Sequence, residues 1–499
     1  VDCGEVEKTT AGNGKDAENQ TSWKGVEFSY TMFVCVTFHP VMSKSASSVV
    51  PQYLAATAAN LATVTAGCSL GWASPALPKI TAGSAENEGW LALTTEENAW
   101  VSALMSVGAA LGPLITAYTA DKIGRRWSLL ATAPIAIAGW LIIGFAESFA
   151  LLLVARLILG IGVGMVFAVT PMYCGEIAED RIRGALGSFL QLLVCVGILF
   201  EYCIGPYIDY NVLAFVTVTI PIAFAVSFFF FPESPYYLLQ VGKTEEATKS
   251  LMWFRRQSRD DVQEELKEMQ VSVDEMLRNK GSVTDLVKTK GNRWALCYSM
   301  ELVAGQQLCG INAVLFNSQT IFTATGGSLA GAEATIIIGS VMVLASGVTP
   351  LVVDRLGRKL LLHISATGMV IGLVVLGVFF YLKNHGEDVS NIGVLPILSL
   401  VLYISVYSIG YGPLPWAVLG ELFPSNVKSN ASSCTASFCW LISFFITRFY
   451  TDITTGLGGS EYTFWLFAAF AFASALFVFF LLPETKGKSL QEIQELLNK

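Results

Sequence analysis

Twelve long apolar stretches alternate with shorter polar segments along most of this chain. They lie near residues 52–73, 97–120, 127–146, 150–174, 184–206, 210–231, 294–322, 332–353, 360–382, 391–417, 430–450 and 462–482. Each is close to the roughly 20 apolar residues that an α-helix needs to cross a bilayer. Because a single segment in lipid must satisfy its own backbone hydrogen bonds, the pattern predicts an all-α membrane protein with twelve transmembrane helices.

The longest polar region, 233–293, separates the first six apolar stretches from the last six. Within it, Leu251 and Phe254, and then Val262, Leu266 and Met269, recur at helical spacing. This periodicity predicts amphipathic linker helices outside the bilayer. The sequence therefore predicts five segments: an N-terminal tail at 1–51, a six-helix half at 52–231, a linker at 232–293, a second six-helix half at 294–482 and a tail at 483–499.

Three short motifs occur twice, in the same order. Asp121-Lys-Ile-Gly-Arg-Arg126 is echoed at 354–359, the segment from Glu176 to Arg183 at 421–428, and Pro-Glu-Ser at 232–234 by Pro-Glu-Thr at 483–485. The offsets are 233, 245 and 251 residues, and this slow drift is what insertions in loops produce. The repetition predicts two homologous, pseudo-symmetric halves.

The positions of the basic residues predict which side of the membrane each loop occupies. The alternate segments 121–127, 174–184, 233–293, 354–359 and 418–430, with the tail after 482, hold 23 of the 31 lysines and arginines. The opposite loops hold only Lys79 and Lys383. Since cytoplasmic loops carry the excess of Lys and Arg, both termini are predicted to be cytoplasmic.

Composition agrees with a membrane protein and argues against other classes. The chain is 53% hydrophobic and 14% charged, whereas soluble domains average roughly 25% charged residues. The ten cysteines include no C-x-x-C pair, and the three histidines are scattered, so we expect no metal or cofactor. No nucleophile–base set predicts an enzyme, and the net charge of −8 does not favour a nucleic-acid partner. Gly160-x-Gly162-x-Gly164 lies inside an apolar stretch and predicts close helix packing, not a phosphate loop.

The repeated charged motifs are candidates for a gate at the cytoplasmic face. We expect their cations and carboxylates to pair across the two halves. Exposed pairs contribute only ~0–1 kcal/mol each, so such a network opens readily. The alternative is a set of turns that merely place positive charge inside. The gate candidates are Asp121, Arg125, Arg126, Glu176, Arg183 and Glu233 in the first half, and Asp354, Arg355, Arg358, Glu421, Lys428 and Glu484 in the second.

The ordered motifs resemble those of sugar porters of the major facilitator superfamily. The matching residues include Asp121-x-x-Gly-Arg-Arg, Arg156-x-x-x-Gly160, Pro171-x-Tyr-x-x-Glu176, Pro232-Glu-Ser-Pro235, Gln306-Gln307-x-x-Gly-Ile-Asn312, Asp354-Arg-x-Gly-Arg358, Gly412-Pro-x-Pro-Trp416 and Pro483-Glu-Thr-Lys-Gly487. The resemblance covers roughly 52–495. Gly71-Trp72-x-Ser-Pro75, Trp100 and the segment 232–239 are most similar to insect facilitated trehalose transporters. The resemblance to sugar porters implies the fold of the major facilitator superfamily, with alternating access between two halves.

Polar side chains inside the apolar stretches are candidates for contact with a ligand. An amide without a partner in an apolar setting costs roughly 2–7 kcal/mol, so these groups need partners, water or ligand. An isolated glutamine is more often a hydrogen bond between helices. On an ideal helix Gln306 and Asn317 share one face, while Gly305 and Gly310 favour a local break. The candidates are Gln191 in the fifth stretch, Gln306, Gln307, Asn312 and Asn317 in the seventh, and Trp416 in the tenth.

The resemblance implies that Gln191, the Gln306-Gln307-Asn312 group and Trp416 contact a neutral sugar. Amides donate to and accept from hydroxyl groups, and a tryptophan face covers the apolar side of a pyranose. At three positions where the family commonly carries asparagine or an acid, this chain carries Met342, Ser408 and Cys439. Fewer hydrogen bonds in the second half are compatible with a larger sugar such as a disaccharide.

The first apolar stretch bears on energy coupling. Proton-linked relatives carry an aspartate at the position aligned with Ser69, and 52–73 contains no carboxylate. Arg156 and Glu201 are the remaining ionisable groups near or within spans of the first half; Arg156 is expected to snorkel or to pair structurally. The sequence favours facilitated diffusion of a sugar, with trehalose first, across the plasma membrane. A proton symporter, a glucose or fructose carrier and a non-transporting sugar sensor remain alternatives. A monomer suffices, and the oligomeric state is open.

Overall fold

The computed structural model describes residues 48–84, 91–278, 281–325, 331–488 and 490–498, without the side chains of Asp354, Ser425 and Leu490. The described residues are helical throughout, apart from turns and one isolated β-bridge between Thr81 and Leu93. This confirms the all-α prediction. The predicted tail at 1–51 lies almost entirely outside the described residues.

The first half and the linker form twelve α-helices. The helices of the first half are α1 (Val50–Gly71), α2 (Ala73–Ile80), α3 (Thr95–Ile123), α4 (Arg125–Leu130), α5 (Thr132–Gly144), α6 (Phe149–Ile177), α7 (Asp180–Ile204), α8 (Tyr210–Thr217) and α9 (Thr219–Phe228). Those of the linker are α10 (Pro235–Gln240), α11 (Thr244–Arg255) and α12 (Gln263–Arg278). Short 3₁₀ turns cover Gly205–Tyr207 and Val283–Leu286.

Among the described residues, the second half forms nine further α-helices and a 3₁₀ turn at Ser390–Ile392, and the C-terminal tail forms one more α-helix. The helices are α13 (Lys290–Leu308), α14 (Ile311–Phe316), α15 (Ser318–Thr325), α16 (Gly331–Leu356), α17 (Arg358–Asn384), α18 (Leu395–Ile409), α19 (Leu414–Leu422), α20 (Ser425–Leu457), α21 (Ser460–Phe480) and α22 (Leu490–Asn498).

Ten helical stretches among the described residues are long and apolar enough to cross a membrane. The predicted spans at 294–322 and 430–450 are also helical but are not among the ten. The first is divided into α13, α14 and α15 and carries four buried amides, those of Gln306, Gln307, Asn312 and Gln319, and α20 is rich in serine, threonine and asparagine. Polar side chains lower the hydropathy of both, so the number twelve stays a prediction.

Glycines let α3 and α6 approach closely. A Cβ on Gly160 would lie 2.1 Å from the carbonyl oxygen of Met105, and one on Gly164 would lie 2.3 Å from that of Ala109. Only a residue without a side chain fits at these crossings. The Gly160–Gly164 segment therefore serves helix packing, as its apolar setting predicted.

The linker helices have an apolar core of their own. The five residues whose spacing predicted amphipathic helices are all buried. Leu251, Val262, Leu266 and Met269 belong to the core of the linker, whereas Phe254 packs in the main core of the helix bundle. The buried Arg255 at the end of α11 fixes this layer to the first half: its Nη1 donates to the carbonyl oxygen of Ile177, 2.9 Å away, at the end of α6.

Candidate functional site

The seventh predicted span is broken at Gly310. Helix α13 ends at Leu308, Gly310 has φ 83°, and α14 begins at Ile311. A left-handed backbone favours glycine, and a Cβ there would also lie 2.3 Å from the ring of Phe467. The predicted break is therefore present. The ideal-helix relationship between Gln306 and Asn317 does not hold, because Gly310 and a second interruption at Asn317 separate them.

Gln306 bridges this break to another. Its Nε2 donates to the carbonyl oxygens of Tyr411 at 2.6 Å and Gly412 at 2.8 Å. These carbonyls lie between α18 and α19, where Pro413 and Pro415 follow and the helix is interrupted. Proline lacks a backbone N–H, so carbonyls near it have no helical partner. The sequence thus supplies the acceptors that hold the buried amide of Gln306.

Gln307 and Asn312 continue the chain of hydrogen bonds. Asn312 Nδ2 donates to Gln307 Oε1 at 2.8 Å and to Ser443 Oγ at 2.6 Å. Gln307 Nε2 lies 3.3 Å from the sulfur of Cys439. Gln306, Gln307 and Asn312 are each at least 93% buried. We call these three residues the amide cluster.

Gln191 of the first half reaches the same region. Its Nε2 lies 3.6 Å from the position that a Cβ on Gly412 would occupy, and 3.6 Å from Cys195 Sγ. Trp416 is half-buried on the first turn of α19, beside the break. Asn317 behaves differently: its amide donates to the carbonyl of Ala313 within its own segment, at 2.8 Å. The structure thus brings Gln191 beside Gly412, whose carbonyl accepts from Gln306, but does not bring Asn317 into the hydrogen-bond chain.

Ser443 and Ser106 were not predicted from the sequence. Both are fully buried, and their hydroxyl oxygens lie 3.0 Å apart across the two halves. Serine is common within spans, so neither residue gives a signal alone. Ser443 follows Cys439 by four residues, which places the two on one helix face. That spacing was the available clue.

Met342, Ser408 and Cys439, which replace the family's more polar residues, are also buried. Met342 is 1% exposed and Ser408 is 0% exposed. Thr349 donates to the backbone carbonyl of Ser408 at 3.2 Å, whereas the hydroxyl of Ser408 has no hydrogen-bond partner among the described residues.

Arg156 is held inside the first half. It is fully buried, and it donates to the carbonyl oxygens of Ser69 at 2.8 Å and Val101 at 3.0 Å. The expectation of structural pairing therefore holds, and snorkelling to the interface does not occur. The hydroxyl of Ser69 donates to the carbonyl of Thr65 at 3.0 Å. Glu201, also fully buried, accepts from Thr217 at 2.7 Å.

The charged motif of the first half is a turn around a partly buried carboxylate, that of Glu233. Gly124 has φ 93°, and a Cβ there would lie 2.2 Å from Glu233 Oε2. Glu233 accepts from the backbone N–H of Arg126 at 2.9 Å. The side chain of Arg125 pairs with Glu176, Nε to Oε1, at 2.9 Å.

The second half repeats this arrangement. Gly357 has φ 87°, and a Cβ there would lie 2.8 Å from Glu484. Glu484 accepts from the backbone N–H groups of Arg358 at 3.1 Å and Lys359 at 3.0 Å. Arg358 pairs with Glu421, Nη2 to Oε1, at 3.0 Å. The repeated motifs thus have matching contacts, as homologous halves require.

The expected pairing across the halves is wrong for these two arginines. Arg125 and Glu176 both belong to the first half, and Arg358 and Glu421 both belong to the second. Each arginine instead pairs with a glutamate from the following charged loop of its own half.

The remaining gate candidates are more exposed, and the side chain of Asp354 lies outside the described residues. Asp121 Oδ1 lies 3.8 Å from Arg125 Nη1, and Arg183 pairs with Asp180 at 2.8 Å. The carbonyl of Arg355 accepts from Lys486 Nζ at 2.8 Å. Lys428 lies near Gly420: a Cβ added to Gly420 would lie 3.6 Å from Lys428 Nζ.

The two partly buried glutamates, Glu233 and Glu484, differ in their electrostatics. Burial raises the pKa of Glu233 above its ordinary value, and the backbone N–H groups of Arg126 and Ser234 oppose this only in part. Burial also acts on Glu484, but there the backbone N–H groups of Lys486, Arg358 and Lys359 outweigh it and lower the pKa. Glu484 accepts from more backbone N–H groups than Glu233 does, and the neighbouring carboxylate of Glu176 raises the pKa of Glu233 further.

Several hydrogen bonds between the halves lie away from the charged motifs. We call the end of the bundle with Gly124 and Gly357 the motif end, and the other the opposite end. At the opposite end, the backbone N–H of Gln319 donates to Ser74 Oγ at 3.1 Å, and Tyr202 donates to the carbonyl of Leu315 at 2.8 Å. Near the motif end, by contrast, Gly184 and Gly187 of α7 are exposed.

A family model described as "Sugar (and other) transporter" matches residues 23–497 of this chain. The chain belongs to the sugar transporter family. The family is one of transporters, not of enzymes, and the chain is a multi-pass membrane protein.

Curated relatives carry the name facilitated trehalose transporter Tret1. The Anopheles gambiae protein is 36% identical over 445 residues, which are 89% of this chain and 55% of that protein. The Culex quinquefasciatus protein is 35% identical over 457 residues, which are 91% of this chain and 87% of that protein. The chain therefore spans about half the length of the Anopheles relative.

Solved structures of a sugar porter share the fold. The proton:xylose symporter XylE bound to 6-bromo-6-deoxy-D-glucose has a TM-score of 0.73 and 24% identity, with 90% of this chain and 99% of that chain covered. The inward-open conformation of XylE from E. coli also has a TM-score of 0.73 and 24% identity, with 89% and 99% covered. The fold is that of the major facilitator superfamily.

Proposed function

We propose that this protein is a facilitative transporter that carries a neutral sugar across the plasma membrane by alternating access. The observation that carries the proposal is the amide cluster, three buried amides at the breaks of α13–α14 and α18–α19, with Gln191 reaching in from the other half. Family membership supports the reading of these breaks as a substrate site. The proposal places both termini in the cytoplasm and takes the five predicted segments as the domains.

The chemistry of the cluster suits a polyhydroxylated, uncharged ligand. Each amide has two donors and a carbonyl acceptor, so rotating a sugar hydroxyl suffices to make either kind of bond. Broken helices expose backbone carbonyls as further acceptors near mid-membrane. Trp416 offers an aromatic face for the C–H side of the ring. Gln191, Gln306, Gln307, Asn312 and Trp416 are the proposed binding residues; Asn317 is proposed as a peripheral one.

Trehalose is the favoured substrate within this class. The relatives named above are called trehalose transporters. Met342, Ser408 and Cys439 reduce the number of hydrogen-bond donors in the second half. A disaccharide makes its hydrogen bonds over a larger surface, so a site with fewer donors per ring suits it better than it suits glucose or fructose.

Facilitated diffusion is favoured over proton symport. The position expected to hold an acid carries Ser69, whose hydroxyl is already bonded to the carbonyl of Thr65. Arg156 is held by backbone carbonyls, which do not change their charge with pH. A proton carrier in the membrane requires an ionisable group that alternates between partners.

The gate candidates are proposed to act within each half. The pairs Arg125–Glu176 and Arg358–Glu421 stiffen the loops of their own half. Stiff halves move as units, which is what alternating access requires. The motif end would then be the cytoplasmic face, where the halves separate and approach during the cycle.

Uptake by purified protein in proteoliposomes tests the proposal. We expect saturable uptake of labelled trehalose that stops at the external concentration, with lower uptake of glucose and fructose. Liposomes without protein are the control. Accumulation above the external concentration under a pH gradient would assign proton symport instead. Binding of sugar without uptake would favour a sensor. If the protein neither bound nor took up any of these sugars, a sugar substrate would be refuted.

A further inference from the structure

Arg448, near the far end of α20, contacts the first half with its guanidinium group. Its Nη2 lies 3.1 Å from Oε1 of Glu96, in the first turn of α3. The same guanidinium lies 4.8 Å from the ring centre of Trp100, one turn further along α3. On its own helix, Arg448 Nη1 pairs with Asp452 at 2.9 Å. One side chain of the second half therefore holds two residues of the first.

Burial makes these contacts matter. The side chain of Arg448 is only 10% exposed, whereas that of Glu96 is 73% exposed. A guanidinium removed from water needs a carboxylate and an aromatic face to offset its lost hydration. If α20 moves away from α3, Arg448 loses Glu96 and Trp100 together and keeps its contacts with Asp452 and the ring of Phe449, both on its own helix. The contact therefore favours the arrangement in which the two helices touch.

Helix capping does not account for Glu96. The N-terminus of α3 is already closed by Thr94 and Glu97, which form a reciprocal capping box. Thr94 accepts from the backbone N–H of Glu97 at 3.2 Å, and Glu97 Oε2 accepts from the N–H of Thr94 at 2.8 Å. Glu96 points instead to Arg448, across the boundary between the halves.

The contact between α3 and α20 continues from the opposite end to the amide cluster. Further along these helices, Ser106 and Ser443 lie 3.0 Å apart, and Ser443 accepts from Asn312. Separating the helices at Glu96 and Arg448 therefore also pulls on the hydrogen bond that reaches Asn312. Access from the opposite end and the state of the binding residues are linked through one pair of helices.

We propose that Glu96, Trp100 and Arg448 form a latch that holds the opposite end closed in this conformation. The latch opens when substrate enters or leaves on that side. It deepens the proposed function, on which its role in transport rests, by naming what controls access to the same site. The closed state itself depends on the three side chains and not on a sugar.

Accessibility of a buried reporter tests the latch without any substrate. Ser74 is 1% exposed and lies between the halves at the opposite end, on helices other than α3 and α20. In Ser74→Cys protein reconstituted in nanodiscs, labelling by a charged maleimide is measured as the excess over the same variant without Ser74→Cys. We expect Glu96→Gln to raise the labelling rate about five-fold or more. An unchanged rate would overturn the latch.

Two neighbouring carboxylates provide matched controls. Glu97→Gln removes a charge from the same turn of α3 while glutamine retains the cap, and Asp452→Asn removes the partner of Arg448 that belongs to its own half. We expect both to stay within about two-fold of the parent rate. A rise as large as that of Glu96→Gln in either control would show a general effect of charge and would contradict the proposal.

A charge exchange keeps the test decisive if one variant folds poorly. Glu96→Arg and Arg448→Glu are each expected to raise labelling, and the double variant to return it toward the parent rate. A double variant as reactive as the single ones would refute the ion pair. Because labelling needs no sugar, a protein that carries no sugar in proteoliposomes would refute the proposed function while leaving this result intact.

Discussion

Asn312 donates from Nδ2 to the hydroxyl oxygen of Ser443 at 2.6 Å, between α14 and α20. Ser443 in turn lies 3.0 Å from Ser106 of the first half. All three residues are buried, so little water competes for these bonds. A ligand that bonds Asn312 therefore acts on a contact that also joins the halves.

Replacing Ser443 by Ala should raise the sugar concentration that gives half-maximal uptake by about two- to ten-fold, since one buried hydrogen bond contributes about 0.5–1.5 kcal/mol. Uptake kinetics in proteoliposomes measure this. Ser437→Ala is the matched control, because Ser437 also joins α20 to α3, donating to the carbonyl of Ala110 at 2.8 Å, but makes no contact with the amide cluster in the hydrogen bonds described. An equal change in both variants would place the effect in helix packing.

Gln306→Ala should lower sugar uptake about ten-fold or more. The change removes a donor from two buried carbonyls, those of Tyr411 and Gly412, at about 1–3 kcal/mol for each group left without a partner. Asn317→Ala should lower uptake less, because the amide of Asn317 donates within its own segment. Initial rates at fixed amounts of reconstituted protein compare the two. A larger loss in Asn317→Ala would reverse the assignment.

Gly124→Ala should destabilise the first half by about 1–3 kcal/mol, because an alanine with φ 93° is strained and its Cβ would meet Glu233. Thermal unfolding of the detergent-solubilised protein measures the shift. Gly187→Ala, at a helical position where an added Cβ has nothing within 4 Å, should leave the melting temperature unchanged or raise it. Equal melting temperatures for the two variants would contradict the proposed strain.

Arg126→Ala should lower the rate of transport more than it changes the preference among sugars. At the motif end, the backbone N–H of Arg126 donates to Glu233, and the guanidinium of Arg126 lies 4.9 Å from the ring of Trp127. Neither contact involves a residue of the amide cluster. Competition between labelled trehalose and unlabelled glucose or fructose measures preference. Arg181→Ala, at the same end and more than half exposed, is the control. A changed order of preference in Arg126→Ala would place this residue in the substrate path.

Features that depend on neighbouring residues could be predicted from the sequence. The break at Gly310 follows from a glycine inside an apolar helix, and the break before α19 follows from Pro413 and Pro415. The packing role of Gly160 and Gly164 follows from their spacing on one helix. Burial of the amides followed from their position in the apolar stretches. Their partners did not, because Tyr411 and Ser443 lie more than 100 residues away in the chain.

Charge pairing shows where sequence reasoning stops. The two copies of the charged motif predicted two halves, and the matching contacts at Gly124 and Gly357 agree. Pairing across the halves was wrong for Arg125 and Arg358, since a motif does not specify which of several carboxylates lies nearest. An ion pair that does cross the halves, Glu96 with Arg448, involves residues with no repeated pattern.

The sequence by itself determined the membrane class, the repeated halves and the helix breaks, because hydropathy, motif order and backbone preferences act over short distances. Only the tertiary structure decided which polar groups meet. It placed Asn312 on Ser443, Arg156 on the carbonyl of Ser69, and Arg448 between Glu96 and Trp100. In an apolar interior each polar side chain must find a partner, and helix packing determines which partner lies within reach.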